Sequence, residues 1–523
     1  MKVVFRVDAS NRMGIGHLMR CLTLAEVLRG RGAQVRFICR EHEGNLIEHL
    51  GQRAVPVAVL PASDTVKPIH DEENYAVWLG ASQEEDATQT IKALHGEMPD
   101  WLVVDHYGLD AEWERRLRSH SNQLMVIDDL ANRSHDCDIL LDQNYSLEGE
   151  RRYAGIVPDA CNLLVGPRYA LLRPEYAMHR DTSISSNGAV SKVLVYFGGP
   201  DPNNMTGMAL DALSCAELKH LTVAIVVGVN GLHKEEVCAR AHMRTRTEIY
   251  SSRPHLADLM SESDLAIGAG GATTWERMCL GLPTIVVSIS DNQLPACNAL
   301  AKAQLVSYAG HVTNINAEHL KKRILEICGD EQGRAEQRLR NQLHVDGLGA
   351  LRVAEVMDPS STHAMLLRPA YKKDIVLYFN WANDPQVRRN AVHTSPIPWA
   401  THEAWFAGKL RDTNSHLFVQ EASGLPVGQI RFAREGDEAH IDYSLDSIVR
   451  GRGWGTKLVA LGCDLMQRIQ PLRLRAEVKV ENIFSSNVFL RVGFTEAAAA
   501  SEGFRSFYRN SVGSSTSIMS PPL

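Results

Sequence analysis

The chain has 523 residues, which at roughly 150 per domain makes about three to four folding units and excludes a single small binding module. Hydrophobic residues make up 44% and charged residues 22%, an ordinary globular balance that excludes disorder along the whole length. The net charge of -7 argues against nucleic acid or an anionic membrane as the main partner, and leaves open a local basic pocket for a phosphate.

The ten cysteines are scattered and form no CxxC pair, so neither a zinc ribbon nor a thioredoxin-type motif is present. Most sit in apolar stretches, as Cys21 does in LMRCLTLA, and are expected to be buried free thiols. The opening MKVVFRVDAS carries Arg6 and Asp8 within its apolar run and reads as a strand, not a signal peptide. No apolar run reaches the ~20 residues of a membrane span. A soluble cytoplasmic protein is the expectation.

Along the chain, Val3 to Val7 reads as a parallel strand, followed by the turn Gly14-Ile15-Gly16-His17. Leu18, Cys21, Leu22, Ala25 and Leu28 then recur at helical spacing, and Val35 to Cys39 resumes as a strand, giving a βαβ unit. Trp101 to Asp105, Leu124 to Ile127 and Ile139 to Leu141 continue the rhythm. A polar linker is expected over His179 to Ser191. Strands are expected again at Lys192 to Phe197, Leu221 to Gly228, Leu265 to Ile267 and Thr284 to Ile289, with a closing helix after Ala317. A second boundary is expected at Asp358 to Thr362. Beyond it Val427 to Phe432 and Ala439 to Leu445 read as strands before a long helix from Gly455 to Ile469, and Ser511 to Leu523 reads as a loose tail. The expected division is therefore an α/β domain over 1–180, a second over 190–350, and an α+β domain over 365–510.

The chemistry sits in glycine turns. Gly14, Gly16 and His17 lie between a strand end and a helix start, where backbone N–H groups and the helix dipole favour a phosphate. Arg20 follows on the same helix. A histidine at such a turn suits a general base, although at His17 a capping or packing histidine is the plainer reading. A second turn holds Gly199. A third, Gly268 to Thr274, is followed by Glu276, which could accept hydrogen bonds from a ribose diol or simply compensate the helix dipole. Three such turns suit a phosphorylated ligand held between two domains. Asp128-Asp129 tempts a metal reading, but adjacent side chains in an extended segment point opposite ways. No metal site is expected.

RVDASNRMGIGHLMRCLTLAEVL, VDHYGLD at 104–110, IDDLA at 127–131, VGPRYALL at 165–172 and GAGGATTWERMCLGLPTIVVSISDNQ together resemble the UDP-sugar hydrolases of pseudaminic acid biosynthesis. The resemblance covers about residues 1 to 345. It implies a glycosyltransferase-B-like pair of doubly wound domains. It also implies a substrate, UDP-2,4-diacetamido-2,4,6-trideoxy-β-L-altropyranose, attacked by water at the anomeric carbon with inversion and without a metal. His17 is the implied general base. Gly271, Thr274 and Glu276 would lie near the uridine, Asn292 and Gln293 near the sugar, and Tyr107 and His106 would line the sugar side.

Arg450-Gly451-Arg452-Gly453-Trp454-Gly455-Thr456 lies between a strand and a long helix and resembles the pyrophosphate loop of GCN5-related N-acetyltransferases. LRPA at 367–370, VGQIRF at 427–432, and Asn482 with Ser485, Phe489 and VGF at 492–494 extend that resemblance over about residues 365 to 510. It implies acetyl-CoA as co-substrate and a splayed strand before the loop. His440 stands where many members carry a glutamate, with Asp442 and Glu438 as nearby alternatives for the base. Phe489 stands where many members have a tyrosine that protonates the departing thiolate. Either Tyr508 or water serves instead, the thiolate leaves unassisted, or the domain is impaired. The combined expectation is a bifunctional nucleotide-sugar enzyme whose C-terminal domain acetylates the 4-amino group of the precursor sugar. A glycosyltransferase of the same fold with an accessory acetyltransferase, or a non-catalytic sugar-nucleotide sensor, are the alternatives.

Overall fold

The computed structural model describes the chain except residues 63–74, 181–187, 229–230, 252, 359–364, 498–501 and 512–523. Much of the expected linker at 179–191, the boundary at 358–362 and the tail at 511–523 lies outside the described residues. The chain forms two compact units, residues 1–358 and 359–523.

The first unit is built on two parallel sheets. Strands β1 (Lys2–Val7), β2 (Gln34–Arg40), β3 (Val57–Leu60), β4 (Trp101–Asp105), β5 (Gln123–Ile127), β6 (Ile139–Asp142) and β7 (Asn162–Val165) lie in the order β3-β2-β1-β4-β5-β6-β7. Helix α1 (Gly16–Gly30) carries the chain from β1 to β2. Helix α2 (Pro174–Arg180) follows the first sheet. The second sheet contains β8 (Lys192–Tyr196), β9 (Thr222–Val227), β10 (Thr247–Ser251), β11 (Leu265–Ala269), β12 (Thr284–Ser288) and β13 (Ser307–His311), ordered β10-β9-β8-β11-β12-β13. Helix α3 (Met205–Leu213) follows β8, α4 (Thr273–Cys279) follows β11, and α5 (Gly349–Met357) ends the unit.

These strands read as near-continuous apolar runs because both faces are covered. In β8, Val193 and Val195 enter the core on one side of the sheet and Leu194 enters the core on the other. Each sheet reverses its strand order once, between β1 and β4 and between β8 and β11. Crevices at such reversals, beyond the strand C-termini, are where open α/β sheets bind ligands. The glycine turns and Asp105 stand at these two points.

Two helices cross from one half of the unit to the other, which a division at 180 and 350 does not capture. Tyr176 of α2 joins the core of the second sheet, and the Arg180 guanidinium donates to the carbonyls of Cys279, Gln342 and Val345. α5 returns to the first sheet. Arg31 of α1 pairs with Glu355 at 3.2 Å, and Trp101 Nε1 donates to the Met357 carbonyl at 2.9 Å. Gly349 permits the approach, since a Cβ there would lie 2.2 Å from the Ala170 carbonyl oxygen.

The second unit is a mixed sheet of β14 (Met365–Pro369), β15 (Ser415–Ala422), β16 (Leu425–Glu435), β17 (Glu438–Leu445), β18 (Arg473–Lys479), β19 (Thr495–Ala497) and β20 (Phe504–Arg509), ordered β14-β15-β16-β17-β18-β20-β19. Every pairing is antiparallel except β17 with β18. That pair is joined only from Glu438↔Arg473 to His440↔Arg475, after which the strands part. Helices α6 (Trp454–Ile469) and α7 (Ile483–Arg491) belong to this unit, and their apolar residues pack with Ala439, Leu474 and Ala476.

Candidate functional site

At the end of β1 the chain turns tightly. The Gly14 N–H donates to the Ser10 carbonyl at 2.8 Å, and Gly14 takes φ +74°, a conformation that favours glycine. α1 then starts with no side-chain cap and no acidic residue in its first turn, so its orphan N–H groups face the crevice. His17 and Arg20, three residues apart, share one face of α1 and both reach Asp105 at the end of β4. His17 Nδ1 lies 2.6 Å from Asp105 Oδ1. Arg20 binds Asp105 with two donors, Nε at 2.6 Å and Nη2 at 2.7 Å, and reaches Asp129 with Nη1 at 3.0 Å.

Burial pushes the Asp105 carboxyl up, but the Arg20 and His17 charges outweigh it and hold the group well below the usual carboxylate range. An ionised carboxylate only accepts, so the His17 Nδ1 that faces it bears a proton, and in the neutral ring the lone pair is then on Nε2. The Tyr107 ring meets His17 edge-on, with centroids 4.5 Å apart, and its hydroxyl bonds to Asp129. Burial and Asp129 raise the Tyr107 phenol, so it stays protonated. His106 points elsewhere. Its Nδ1 accepts from the Gly108 N–H at 2.9 Å, and burial lowers it to about 4.

The three glycine turns differ. At Gly199 the following helix α3 is already capped, because the Asp201 carboxylate accepts from the Met205 and Thr206 N–H groups at 2.9 Å each. The Gly199 carbonyl is closely approached by Gly228, where a Cβ would lie 2.1 Å from it, while a Cβ on Gly199 itself would meet nothing within 4 Å. The third turn opens onto α4, which has no side-chain cap. Gly271 lies beside Gln293, whose amide nitrogen would sit 3.8 Å from a Cβ there. Thr274 is buried, and its hydroxyl accepts from Arg277 Nη2 at 3.0 Å. Glu276 is half-buried and bound to the Tyr176 hydroxyl, and desolvation raises it to about 7.

A cavity of about 650 Å³ lies between the two halves of this unit. Tyr75, Asp129, Tyr145 and Arg152 line it from one side and Asn292 and Lys302 from the other. Asn292 accepts from Ser290 Oγ at 2.6 Å. Gln293 stays outside the lining, with its side-chain oxygen on the Ile289 N–H at 3.1 Å. Among the described residues no group of three or more His, Cys, Asp or Glu side chains is arranged to hold a metal.

In the second unit the loop after β17 holds Gly451 and Gly453 at φ +77°, and α6 begins at Trp454 with no side-chain cap. Arg452 and Thr456 are half-buried on this turn, and Gly455 is buried. Trp454 is buried. Arg450 faces away from the turn: it donates to the Leu445 carbonyl at 2.8 Å and pairs with Asp384 at 2.9 Å. The Asn482 side chain caps α7 by accepting from the Ser485 N–H at 3.2 Å.

His440 stands in the last paired row before β17 and β18 part, with its Nε2 3.5 Å from Glu435. Asp442 is the next side chain on that face, past the point of parting, and pairs with Arg431 at 3.2 Å while staying about half exposed. Tyr508 is displaced from the opening. It pairs with Arg475 on the far edge of β18, and Arg473 stacks over its ring at 4.1 Å. Phe489 is core, packed against Tyr443, Phe494 and Phe507. The hydroxyls beside the parted strands are instead Tyr443 and Ser485, 3.2 Å apart.

Residues 193–349 match the glycosyltransferase family 28 C-terminal domain, and residues 364–495 match the GNAT acetyltransferase domain. The chain fuses these two. An uncharacterized protein of Methanocaldococcus jannaschii is 22% identical over 96% of this chain and 98% of its own, so the match runs through both units. The UDP-2,4-diacetamido-2,4,6-trideoxy-beta-L-altropyranose hydrolase of Campylobacter jejuni is 26% identical over 58% of this chain and 97% of its own. A Bacillus subtilis spore coat polysaccharide biosynthesis protein, SpsG, is 24% identical over 68% of this chain and 98% of its own. Among solved structures, MurG of Acinetobacter baumannii aligns with 68% of this chain and 99% of its own at 13% identity and TM-score 0.49.

The first unit is thus a glycosyltransferase-B-like pair of parallel sheets, and the GNAT domain carries the mixed sheet whose central strands part beside the glycine loop. Sequence reasoning missed Asp105, although its place at a strand end opposite a GxGH turn was a usable signal. It also missed the Tyr443–Ser485 pair, which no spacing announces because the two residues meet only in the fold.

Proposed function

We propose that the first unit hydrolyses a UDP-linked 2,4-diacetamido-2,4,6-trideoxy sugar, the substrate named for the Campylobacter jejuni relative, without a metal. The observation that carries this reading is the 2.6 Å contact between His17 Nδ1 and Asp105. With Nδ1–H held on a carboxylate, Nε2 is the acceptor for a water proton. That water forms a bond to the anomeric carbon as the bond from this carbon to the UDP oxygen breaks, and the electron pair leaves with UDP. Asp105 stabilises the imidazolium that results, and Arg20 fixes Asp105 in place. Tyr107 packs His17 into this geometry, and Asn292 and the cavity beside Asp129 accommodate the sugar. The uridine side belongs to Gly271 and Glu276, with Thr274 bracing the turn from inside.

The GNAT domain would acetylate the 4-amino group of the precursor sugar nucleotide from acetyl-CoA. Gly451, Arg452, Gly453, the Trp454 and Gly455 backbone and Thr456 form the pyrophosphate turn. Asp442, past the parting of the strands, is better placed than His440 to take the amine proton, and Tyr443 with Ser485 better placed than Tyr508 to protonate the thiolate.

The test is UDP release from the diacetamido sugar nucleotide in buffer containing EDTA. Wild type releases UDP, whereas His17→Ala binds UDP but loses turnover by about a hundredfold or more. Asp105→Asn, which keeps the shape and removes the charge, loses a comparable factor in kcat with little change in KM. Undiminished release by His17→Ala would sink the mechanism.

A further inference from the structure

We propose that Cys137 and Cys161 are a redox modification site: they close into a reversible disulfide that ties together the two ends of a segment lining the cavity. This site goes beyond the nucleotide-sugar chemistry and does not depend on it.

All ten cysteines are free thiols. Closing a disulfide needs a thiol that a small oxidant can reach and a second sulfur beside it. Cys161, Cys215, Cys238 and Cys328 are half-buried, and the other six are buried. Of these four, Cys161 has a sulfur neighbour, with its Sγ 3.7 Å from Cys137 Sγ. Among the described residues no other two thiols are in hydrogen-bond contact.

The backbone presents the two sulfurs to each other. Cys137 stands just before β6 and Cys161 just before β7. These strands pair in parallel from Ile139↔Asn162, and the Asn162 N–H donates to the Asp138 carbonyl at 2.8 Å, so both sulfurs enter at the same end of neighbouring strands. A disulfide is ~2.05 Å long, so the sulfurs need to approach by less than ~2 Å, which side-chain rotation can supply.

The contact divides the roles. The shared hydrogen bond lowers the Cys161 thiol, and the same bond together with burial holds Cys137 protonated. Cys161 is therefore the attacking sulfur and Cys137 the resolving one. The oxidant is a small-molecule disulfide. The Cys161 thiolate forms a bond to one of its sulfurs as the bond between the two breaks, and the electron pair leaves on the other half, which takes up the proton Cys161 gave. Cys137 then attacks Cys161, and its proton goes to the second thiolate released. Two cysteine thiols are oxidised and one small disulfide is reduced to two thiols.

The bond closes a ring over residues 137–161. Within that ring Tyr145, Glu148 and Arg152 line the cavity, and neither cysteine does. Arg152 is held there by Asp142 at 2.6 Å, on the last residue of β6. A link at the entry to both strands thus fixes where the lining segment departs and returns, and places no sulfur among the residues that line the cavity. Such a pair stays as thiols in a reducing medium and closes in an oxidising one.

The test incubates the full chain with oxidised glutathione, then unfolds and alkylates it and maps its peptides by mass spectrometry. Two fewer cysteines are alkylated, the mass before alkylation falls by about 2 Da, Cys137 is linked to Cys161, and dithiothreitol reverses all three. Hydrogen exchange over residues 143–157 slows by about threefold or more in the oxidised chain and recovers on reduction. Cys161→Ser loses the linkage and the slowing together. Should that variant not fold, wild type with and without dithiothreitol decides. Retention of all ten thiols, glutathione left on Cys161 without closure, or linkage of either cysteine elsewhere overturns the site. Exchange that is unchanged by oxidation, or slowed equally in Cys161→Ser, overturns the role given to the ring.

Discussion

At the residue scale, one carboxylate gathers a histidine and an arginine from a single helix turn, while another is raised by burial. Glu276 shows what the second arrangement does to stability. Its carboxyl titrates near 4.5 when exposed and near 7 in the fold. Between those values the folded chain binds more protons than the unfolded one, so this group's contribution is fully present below about 4.5 and is lost as pH rises towards about 7. Chemical denaturation of the first unit across this range should show the loss in wild type and its absence in Glu276→Gln. The variant should match wild type near the acid end and exceed it by about 1–2 kcal/mol above neutrality, since one pKa unit is worth ~1.4 kcal/mol and partial exposure trims the total. Identical slopes would refute the cause given. His17 was legible in the sequence because a GxGH turn is local. Asp105 and Asp129 were not, because their partners lie 80 or more residues away, which a spacing does not record.

At the element scale, the parallel strands were legible from their apolar runs, most to within a residue or two of the observed ends. The short strands β3 and β7, and the half-buried β10 and β13, were missed because their patterns are too brief or too polar to separate from loops. The crossing helices α2 and α5 were also hidden, since amphipathicity says that a helix packs and not on which sheet. The acetyl-CoA turn carries the sharpest element-scale prediction. Gly453 takes φ +77° at the start of α6, where a β-branched side chain is strained by roughly 1–2 kcal/mol or more. Gly455 has ordinary torsions, and a Cβ on it would meet Tyr443 at 3.5 Å, a normal contact. Gly453→Val should therefore weaken acetyl-CoA by about tenfold or more, whereas Gly455→Ala should stay within about threefold, as read by titration of the cofactor. The reverse order would show that bulk, not backbone conformation, governs the turn.

At the scale of the whole molecule, the two units differ in size by roughly twofold and each encloses its own hydrophobic core. Unfolding enthalpy scales with length at ~0.7 kcal/mol per residue, so scanning calorimetry should resolve a larger and a smaller transition. A ligand at about a hundred times its Kd adds ~2.7 kcal/mol to the state that binds it. The same increment moves a short unit further than a long one, because the entropy of unfolding also scales with length. Acetyl-CoA should thus raise the smaller transition by about 5–10 °C and leave the larger in place, whereas UDP should raise the larger by about half as much and leave the smaller in place. Among the described residues no helix is long and apolar enough to cross a membrane. A single transition moved by both ligands would show that the fusion folds and binds as one body. Two transitions answering to separate ligands would mean that each ligand site was brought to the fusion with its own fold.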